Sequence, residues 1–380
     1  MKLCNAPFND DEHPKLANIF DSWGFPLSNF QKWAIYGMLN NKHVLITAHT
    51  GSGKTLPAEA AIRHFTSKHK KVIYTGPIKA LINQKLYEFT HKFPDISFGI
   101  ITGDNKDNPE ADVLLMTAEI LRNTLFKKKM LELGDDKEDA NTSQSLLSFD
   151  LDIEKELGCV IIDEAHYIND RDRGKVWEET IMLLPKDIQL LLLSATLNKP
   201  ETSVIPLIES RGGPEVLLCS TEKRVVPLTH YAYLTIPQSA IKNMSGNNRD
   251  RFAPLFDKLL LLKGPTTGEK FQEVQYDKIR KVGDFLENNR IRVNKYFVLN
   301  QIVNLLKTQN LLPAIMFIFS RRQVDILANK IQLMLHDNGS SMPSTVDKAC
   351  EKLLRSKLSN WQEYTALPEY ETIIKLLRKG

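Results

Sequence analysis

The sequence predicts an α/β fold: a parallel sheet with helices on both faces. Two observations predict it. Short apolar runs rich in Val and Ile recur through the first part of the chain, and longer amphipathic segments lie between them, so strand and helix alternate. The composition, 42% hydrophobic and 25% charged residues, is that of an ordinary globular chain able to bury the core such a sheet needs.

In order, the predicted strands are HVLITA (43–48), KVIYTG (71–76), SFGIIT (97–102), DVLLM (112–116), CVIID (159–163), IQLLLLS (188–194) and EVLLC (215–219). LPAEAAIRHFTSK, IKALINQKLYEFTHKF and KVWEETIMLL supply helices between them. Two polar segments interrupt: LGDDKEDANTSQSLL (133–147) reads as a surface insertion, and KNMSGNNRDR (242–251) as a flexible loop. The rhythm changes after residue 232, with poor periodicity up to residue 290. A new unit then opens with helix YFVLNQIVNLLKTQN, strand PAIMFIFS (313–320) and helix RRQVDILANKIQLML, followed only by helices. One strand cannot close an α/β core, so this unit reads as incomplete. The predicted organisation is a first domain over 1–232, a linker or insertion over 233–295, and a partial second domain over 296–380.

Charge does little to narrow the function. Fifty basic against 46 acidic residues leave +4, too small by itself to argue for nucleic acid. The four cysteines are scattered, without a CxxC or a His/Cys cluster, which fits reduced thiols and no zinc site. The N-terminus turns acidic before any apolar core, unlike a signal peptide, and no apolar run is long enough to span a bilayer. The expectation is an intracellular protein without a membrane partner.

The chemistry starts at AHTGSGKT (48–55), between a predicted strand and a predicted helix. It fits the phosphate-binding P-loop, with Ala in place of the first Gly. Small residues let backbone N–H groups curl around a phosphate at a helix N-terminus, where the dipole favours negative charge. Thr50, Gly51, Ser52 and Gly53 would form that cradle, Lys54 would neutralise phosphate oxygens, and Thr55 would ligate Mg²⁺. CVIIDEAH supplies the acidic partner: Asp163 to hold Mg²⁺ and Glu164 to polarise the water attacking the γ-phosphate, with His166 completing the catalytic set. ATP hydrolysis is the expected chemistry, with ATP and Mg²⁺ as cofactors. Ser194, Ala195 and Thr196 follow another apolar strand. Alone such a turn is bland; beside the other two motifs it is a candidate for sensing the γ-phosphate.

P-loop, DEAH and SAT in this order resemble helicase superfamily 2, and the finer text resembles its Ski2-like DExH RNA helicases, whose domains are RecA-like. The resemblance runs over nearly the whole chain from about residue 20. FPLSNFQKWAI (25–35) is similar to the family's adenine-recognition segment, which implies that Phe25 stacks on the base and Gln31 bonds its edge. GPIKALINQK (76–85), TGD (102–104) and LLMTAEILR (114–122) are similar to its strand-contacting motifs. This implies nucleic-acid contacts at Pro77, Lys79, Ala80, Gln84, Thr102, Gly103, Asp104, Thr117, Glu119 and Arg122. These positions lie past the C-terminal ends of predicted strands, where open α/β sheets place their ligands, and suit contact with phosphates. On the residues alone, Lys79, Lys85 and Arg122 are better read as solvated helix charges. RVVPLTHY (224–231) resembles the hinge-proximal segment, and LLPAIMFIFSRR (311–322) the first motif of the second RecA-like domain, which adds Ser320 and Arg321.

The resemblance implies a 3′-to-5′ motor on single-stranded RNA, coupled to an exonuclease or exosome-type complex in RNA decay. The YINDRDRG wording leans toward Ski2 and the cytoplasm, with the nucleus as the alternative. The family's later motifs, including its arginine finger, do not occur in this sequence. Such a finger is worth roughly 10³–10⁵ in rate, so the chain alone is expected to turn over slowly and not to unwind. Two other readings stay open: a DNA helicase of the same superfamily, and a nucleotide-binding scaffold or regulatory subunit.

Overall fold

The computed structural model describes residues 1–132, 152–266, 268–337 and 339–380. The polar segment 133–147 lies outside them. The chain divides into two units, Met1–Val226 and Pro227–Gly380.

The first unit contains strands β1 (Lys2–Leu3), β2 (His43–Ala48), β3 (Lys71–Gly76), β4 (Phe98–Ile101), β5 (Lys106–Asp107), β6 (Val113–Thr117), β7 (Leu157–Ile162), β8 (Gln189–Ser194) and β9 (Val216–Thr221). They form one sheet in the order β1-β9-β2-β8-β7-β3-β6-β4-β5, parallel throughout except for the short edge pair β4–β5. The helices are α1 (Ala17–Asp21), α2 (Asn29–Leu39), α3 (Thr55–Thr66), α4 (Lys79–Lys92), α5 (Ala118–Glu132), α6 (Ile153–Glu156), α7 (Gly174–Leu183) and α8 (Val204–Ser210).

Successive residues of a strand point to opposite faces, and here both faces are buried. Leu45, Ile73, Leu114, Val160, Leu190 and Leu218 join one core with Leu121 of α5, Trp177 of α7 and Ile208 of α8. Their neighbours Val44, Tyr74, Leu115, Ile161, Leu191 and Leu217 join the other, with Ala34 of α2, Ile62 of α3 and Phe89 of α4. The expected two-faced parallel sheet is therefore present. A third cluster packs Phe8, Phe20 and Leu27 on α2 and α3, so the N-terminal segment contributes to the core.

The second unit opens with an antiparallel pair, β10 (His230–Tyr233) and β11 (Leu259–Lys263). Helices α9 (Gln238–Lys242), α10 (Gly246–Phe252), α11 (Glu273–Asn288), α12 (Lys295–Thr308), α13 (Arg321–Lys330), α14 (Met342–Lys357), α15 (Trp361–Thr365) and α16 (Pro368–Leu377) complete it. Two expectations are corrected here. KNMSGNNRDR is not an open loop: it covers the end of α9 and most of α10, whose Phe252 is buried with Met244, Phe256 and Val282. Arg249 ties the turn together by donating to the carbonyls of Ile241 and Met244. The strand expected at 313–320 does not form. A strand needs neighbours for its N–H and C=O groups, and among the described residues this segment joins no sheet. Ile315, Phe317 and Phe319 stand 82%, 81% and 104% exposed, so the apolar text found neither ladder nor core.

His43, at the start of β2, is fully buried, and its Nδ1 accepts from the Leu190 N–H at 3.1 Å. Burial first, and the Arg211 charge second, lower its pKa from 6.5 to about 4. The folded chain therefore holds this ring neutral where the unfolded chain protonates it. Above pH 6.5 the ring adds no pH dependence; as pH falls from 6.5 to 4, folding should lose stability on the order of 3 kcal/mol. Urea unfolding across that range should show the loss, and His43→Asn, which keeps an acceptor, should flatten it.

Candidate nucleotide site and its flanking loops

β2 delivers the chain to Ala48, and α3 begins at Thr55. The turn between them needs left-handed backbone at Gly51 and Gly53, both at φ +83°. A Cβ at Gly51 would meet nothing within 4 Å, whereas one at Gly53 would lie 2.5 Å from Gln31 Nε2. Gln31 is buried and used at both ends. Its Oε1 accepts from the Ser28 N–H (2.8 Å) and hydroxyl (2.9 Å) in a capping box, and its Nε2 donates to the Gly53 carbonyl (3.1 Å) and Ser52 carbonyl (3.5 Å). In this structure Gln31 thus clamps α2 to the glycine turn. Phe25 is 54% exposed on the approach to α2. The Ser52 hydroxyl is buried with no protein partner. Lys54 is half-buried; desolvation lowers its pKa, against the opposing fields of Glu164 and Asp163.

Those carboxylates lie just past β7. The Asp163 N–H continues the ladder to the Thr75 carbonyl at 2.8 Å. Asp163 Oδ1 accepts from the Glu164 N–H (2.9 Å), and Oδ2 accepts from the Tyr74 hydroxyl (2.5 Å). Burial first, and Asp163 second, push the Tyr74 phenol well above its usual range, so it stays a donor. Glu164 sits at φ 51° and ψ 46°, a sparsely occupied conformation for a side chain of its kind, and turns the chain into a 3₁₀ segment, Ala165–Asn169. That turn returns His166, whose Nδ1 comes to 3.3 Å from Glu164 Oε2. Ser194 ends β8, fully buried, and its hydroxyl, like that of Thr75, has no protein partner; Thr196 beyond it is exposed. A positive-φ glycine turn, a cation at a helix start and two facing carboxylates fit a polyphosphate with a hard divalent cation.

The flanking loops arrive along the same edge. Lys79 Nζ bonds Asp104 Oδ1 at 2.8 Å, as does the Thr102 hydroxyl at 2.8 Å, which joins the loops after β3 and β4; Gly103 lies between and is exposed. Thr117 ends β6, and Ala80 and Gln84 are exposed on α4, with Gln84 donating to Glu88 at 2.7 Å. Pro77 and Glu119 are already engaged. Arg173 donates to the Pro77 carbonyl (2.6 Å) and, through Nε (3.1 Å) and Nη2, to Glu119 Oε1. Arg122 pairs with Glu179 at 3.5 Å. Sequence reasoning missed Arg173 and Tyr74. Both make their contacts across the sheet, and nothing in D-R-D-R-G or V-I-Y-T-G names such a partner. Ser320 and Arg321 belong to the second unit, where the Ser320 hydroxyl caps α13 by accepting from the Gln323 N–H (3.4 Å), and Arg321 is exposed.

The profile of the DEAD/DEAH box helicases matches residues 28–204, the stretch that holds both the glycine turn and the carboxylates. This is a DEAD/DEAH box helicase domain. Within that family the chain is Ski2-like. It is 41% identical over 208 residues to the antiviral helicase SKI2 of Saccharomyces cerevisiae, covering 54% of this chain and 14% of that one. It is 32% identical over 336 residues to the chloroplastic DExH-box ATP-dependent RNA helicase DExH15 of Arabidopsis thaliana (84% and 27%), and 30% identical over 377 residues to the human exosome RNA helicase MTR4 (97% and 31%). The chain therefore spans less than a third of the length of these relatives. Among solved structures, the DUF1998 helicase MrfA bound to DNA and AMPPNP superposes with a TM-score of 0.54 at 15% identity, over 94% of this chain and 44% of that one, a likeness of fold.

Arg173 joins the loop after β3 to the start of α5, so its contacts should be measurable as coupling. Because the Arg173–Glu119 pair is about one-third exposed, a double-mutant cycle with Arg173→Ala and Glu119→Ala should give an interaction on the order of 1 kcal/mol in urea unfolding. Additive single effects would show that the two side chains do not hold the loops together.

Proposed function

We propose that this chain is the nucleotide-driven part of a Ski2-like, ATP-dependent RNA helicase that couples ATP hydrolysis to 3′-to-5′ movement on single-stranded RNA. The observation that carries the proposal is the positive-φ glycine turn that leads through Lys54 into α3, with the charges of Asp163 and Glu164 acting on Lys54. In this reading Thr50–Gly53 cradle the phosphates, Phe25 stacks on the base and Lys54 neutralises the phosphate oxygens. Gln31, already bonded to the turn, reports the base to it. Glu164 takes the proton of the attacking water, with His166 Nδ1 3.3 Å from its carboxylate. Mg²⁺, when held through Thr55 and Asp163, supplies charge neutralisation at the phosphates. Ser194, Ala195 and Thr196 pass the phosphate state onward.

On the nucleic-acid side, the loops of Pro77–Gln84, Thr102–Asp104 and Thr117–Arg122 offer backbone groups, hydroxyls and cations that suit sequence-blind phosphate contact, and Ser320 and Arg321 of the second unit are proposed as nucleic-acid contacts in their own right. RNA is favoured over DNA by the printed names of the curated relatives, which are RNA or antiviral helicases. The printed name of MTR4 supports a partnership with an exosome-type complex, and the YINDRDRG wording favours a cytoplasmic setting, the nucleus being the alternative. No described helix is long and apolar enough to cross a membrane.

Purified chain should hydrolyse ATP in a Mg²⁺-dependent manner, faster with single-stranded RNA than with DNA of the same sequence, since only RNA offers 2′-hydroxyls. Glu164→Gln should lower kcat by about 10²–10⁴ with nucleotide binding retained. Equal stimulation by DNA would move the substrate to DNA. Hydrolysis unaffected by Glu164→Gln would leave the nucleotide as a conformational ligand and the chain as a scaffold.

A further inference from the structure

The catalytic carboxylates account for Lys54, Asp163, Glu164 and His166, but not for Tyr74, a fully buried phenol whose hydroxyl donates to Asp163 Oδ2. Tyr74 lies on β3, the strand paired with β7, and the register aligns Tyr74 with Ile161 and Thr75 with Ile162. Its side chain falls on the face covered by α2, α3 and α4, the face from which the glycine turn runs into α3. The ring is fixed from the side by Phe89 of α4, edge-on at 5.3 Å and 75°. An aspartate at a strand end otherwise turns about two side-chain torsions. Here each of its oxygens has one donor: the Glu164 N–H on Oδ1 and the Tyr74 hydroxyl on Oδ2. Two donors on different atoms fix the plane of the carboxylate, and a carboxylate oxygen with one lone pair taken keeps another free. The first donor is backbone and comes with the turn. The second is a side chain, and it adds a polar group to an otherwise apolar position in the core.

We propose that Tyr74 is a positioning residue that orients the Asp163 carboxylate toward the divalent cation accompanying the nucleotide. The proposal rests on the reading of Asp163 given above. Partners one step removed from a metal ligand fix its orientation, and losing one costs about 10–100-fold in metal affinity. An unpinned Asp163 is free to turn toward Lys54, which carries the opposite charge and lies within its field. Tyr74→Phe keeps the ring and its contact with Phe89 and removes only the donor.

The test titrates Mg²⁺ against the affinity of a fluorescent ATP analogue for the whole chain, with EDTA-treated samples giving the metal-free affinity. Tyr74→Phe should raise the Mg²⁺ concentration at half-effect by about tenfold or more while the metal-free affinity stays at the wild-type value. Asp163→Asn serves as the control. A shift in Asp163→Asn with none in Tyr74→Phe overturns the role of Tyr74 and leaves the site reading standing. No shift in either overturns the assignment of Asp163, and the role of Tyr74 with it. An equal loss of metal-free affinity in Tyr74→Phe would make the tyrosine a packing residue only and would also overturn the proposal.

Discussion

The first unit depends on the parallel register of its four central strands. Thr47 of β2 stands opposite Ser194 of β8, Leu192 of β8 opposite Ile162 of β7, and Ile162 opposite Thr75 of β3. Since all four run the same way, their C-terminal ends reach one edge together, and each hands its next residues to the site: His49 onward, Ala195 and Thr196, Asp163 and Glu164, Pro77 onward. A parallel sheet buried on both faces holds such an edge rigidly, because moving one strand would break ladders on two sides and two packed cores at once. The chemistry is therefore carried by turns, while its precision is set by residues that never meet a ligand.

Several charged groups along that edge pair with one another. Lys79 rests on Asp104, Arg122 on Glu179, and Arg173 on Glu119 and the Pro77 carbonyl. Lys79 and Asp104 are both exposed, so a phosphate would replace the carboxylate on Lys79 at little cost. Arg173 differs in that one of its three bonds goes to a backbone carbonyl, that of Pro77. It ties the loop after β3 to Glu119 at the start of α5.

How much of this was legible in the sequence depended on how far each interaction reaches along the chain. The seven central strands were readable because continuous apolar runs between turn signals need no knowledge of their partners. The strand at 313–320 looked the same and failed, because pairing is a property of the neighbour and not of the segment. In KNMSGNNRDR the polar letters outweighed Met244 within it and Phe252 just after it, which pack with Val282. The two-residue strands Lys2–Leu3 and Lys106–Asp107 are below the length at which any pattern exists. At the site, the glycine turn and the acidic pair were visible since spacing alone defines them. Tyr74 and Arg173 were not, for their partners stand 89 and 54 residues away.

Gln31 shows how a local device and a remote one are joined. Its carbonyl closes the capping box on Ser28, worth about 1 kcal/mol in helix stability. The same side chain's amide reaches across 22 residues to the Gly53 carbonyl. That second contact is possible only because Gly53 lacks a Cβ, which would lie 2.5 Å from the amide nitrogen. The glycine thus serves two ends, giving the turn its positive φ and giving Gln31 room to hold it. A ligand that draws the Gln31 amide toward itself must loosen the turn, and one that tightens the turn must hold Gln31 in place. Base and phosphates would in this way be sensed through one side chain, and the segment before α2 and the turn before α3 would act as a single site although α2 and β2 separate them.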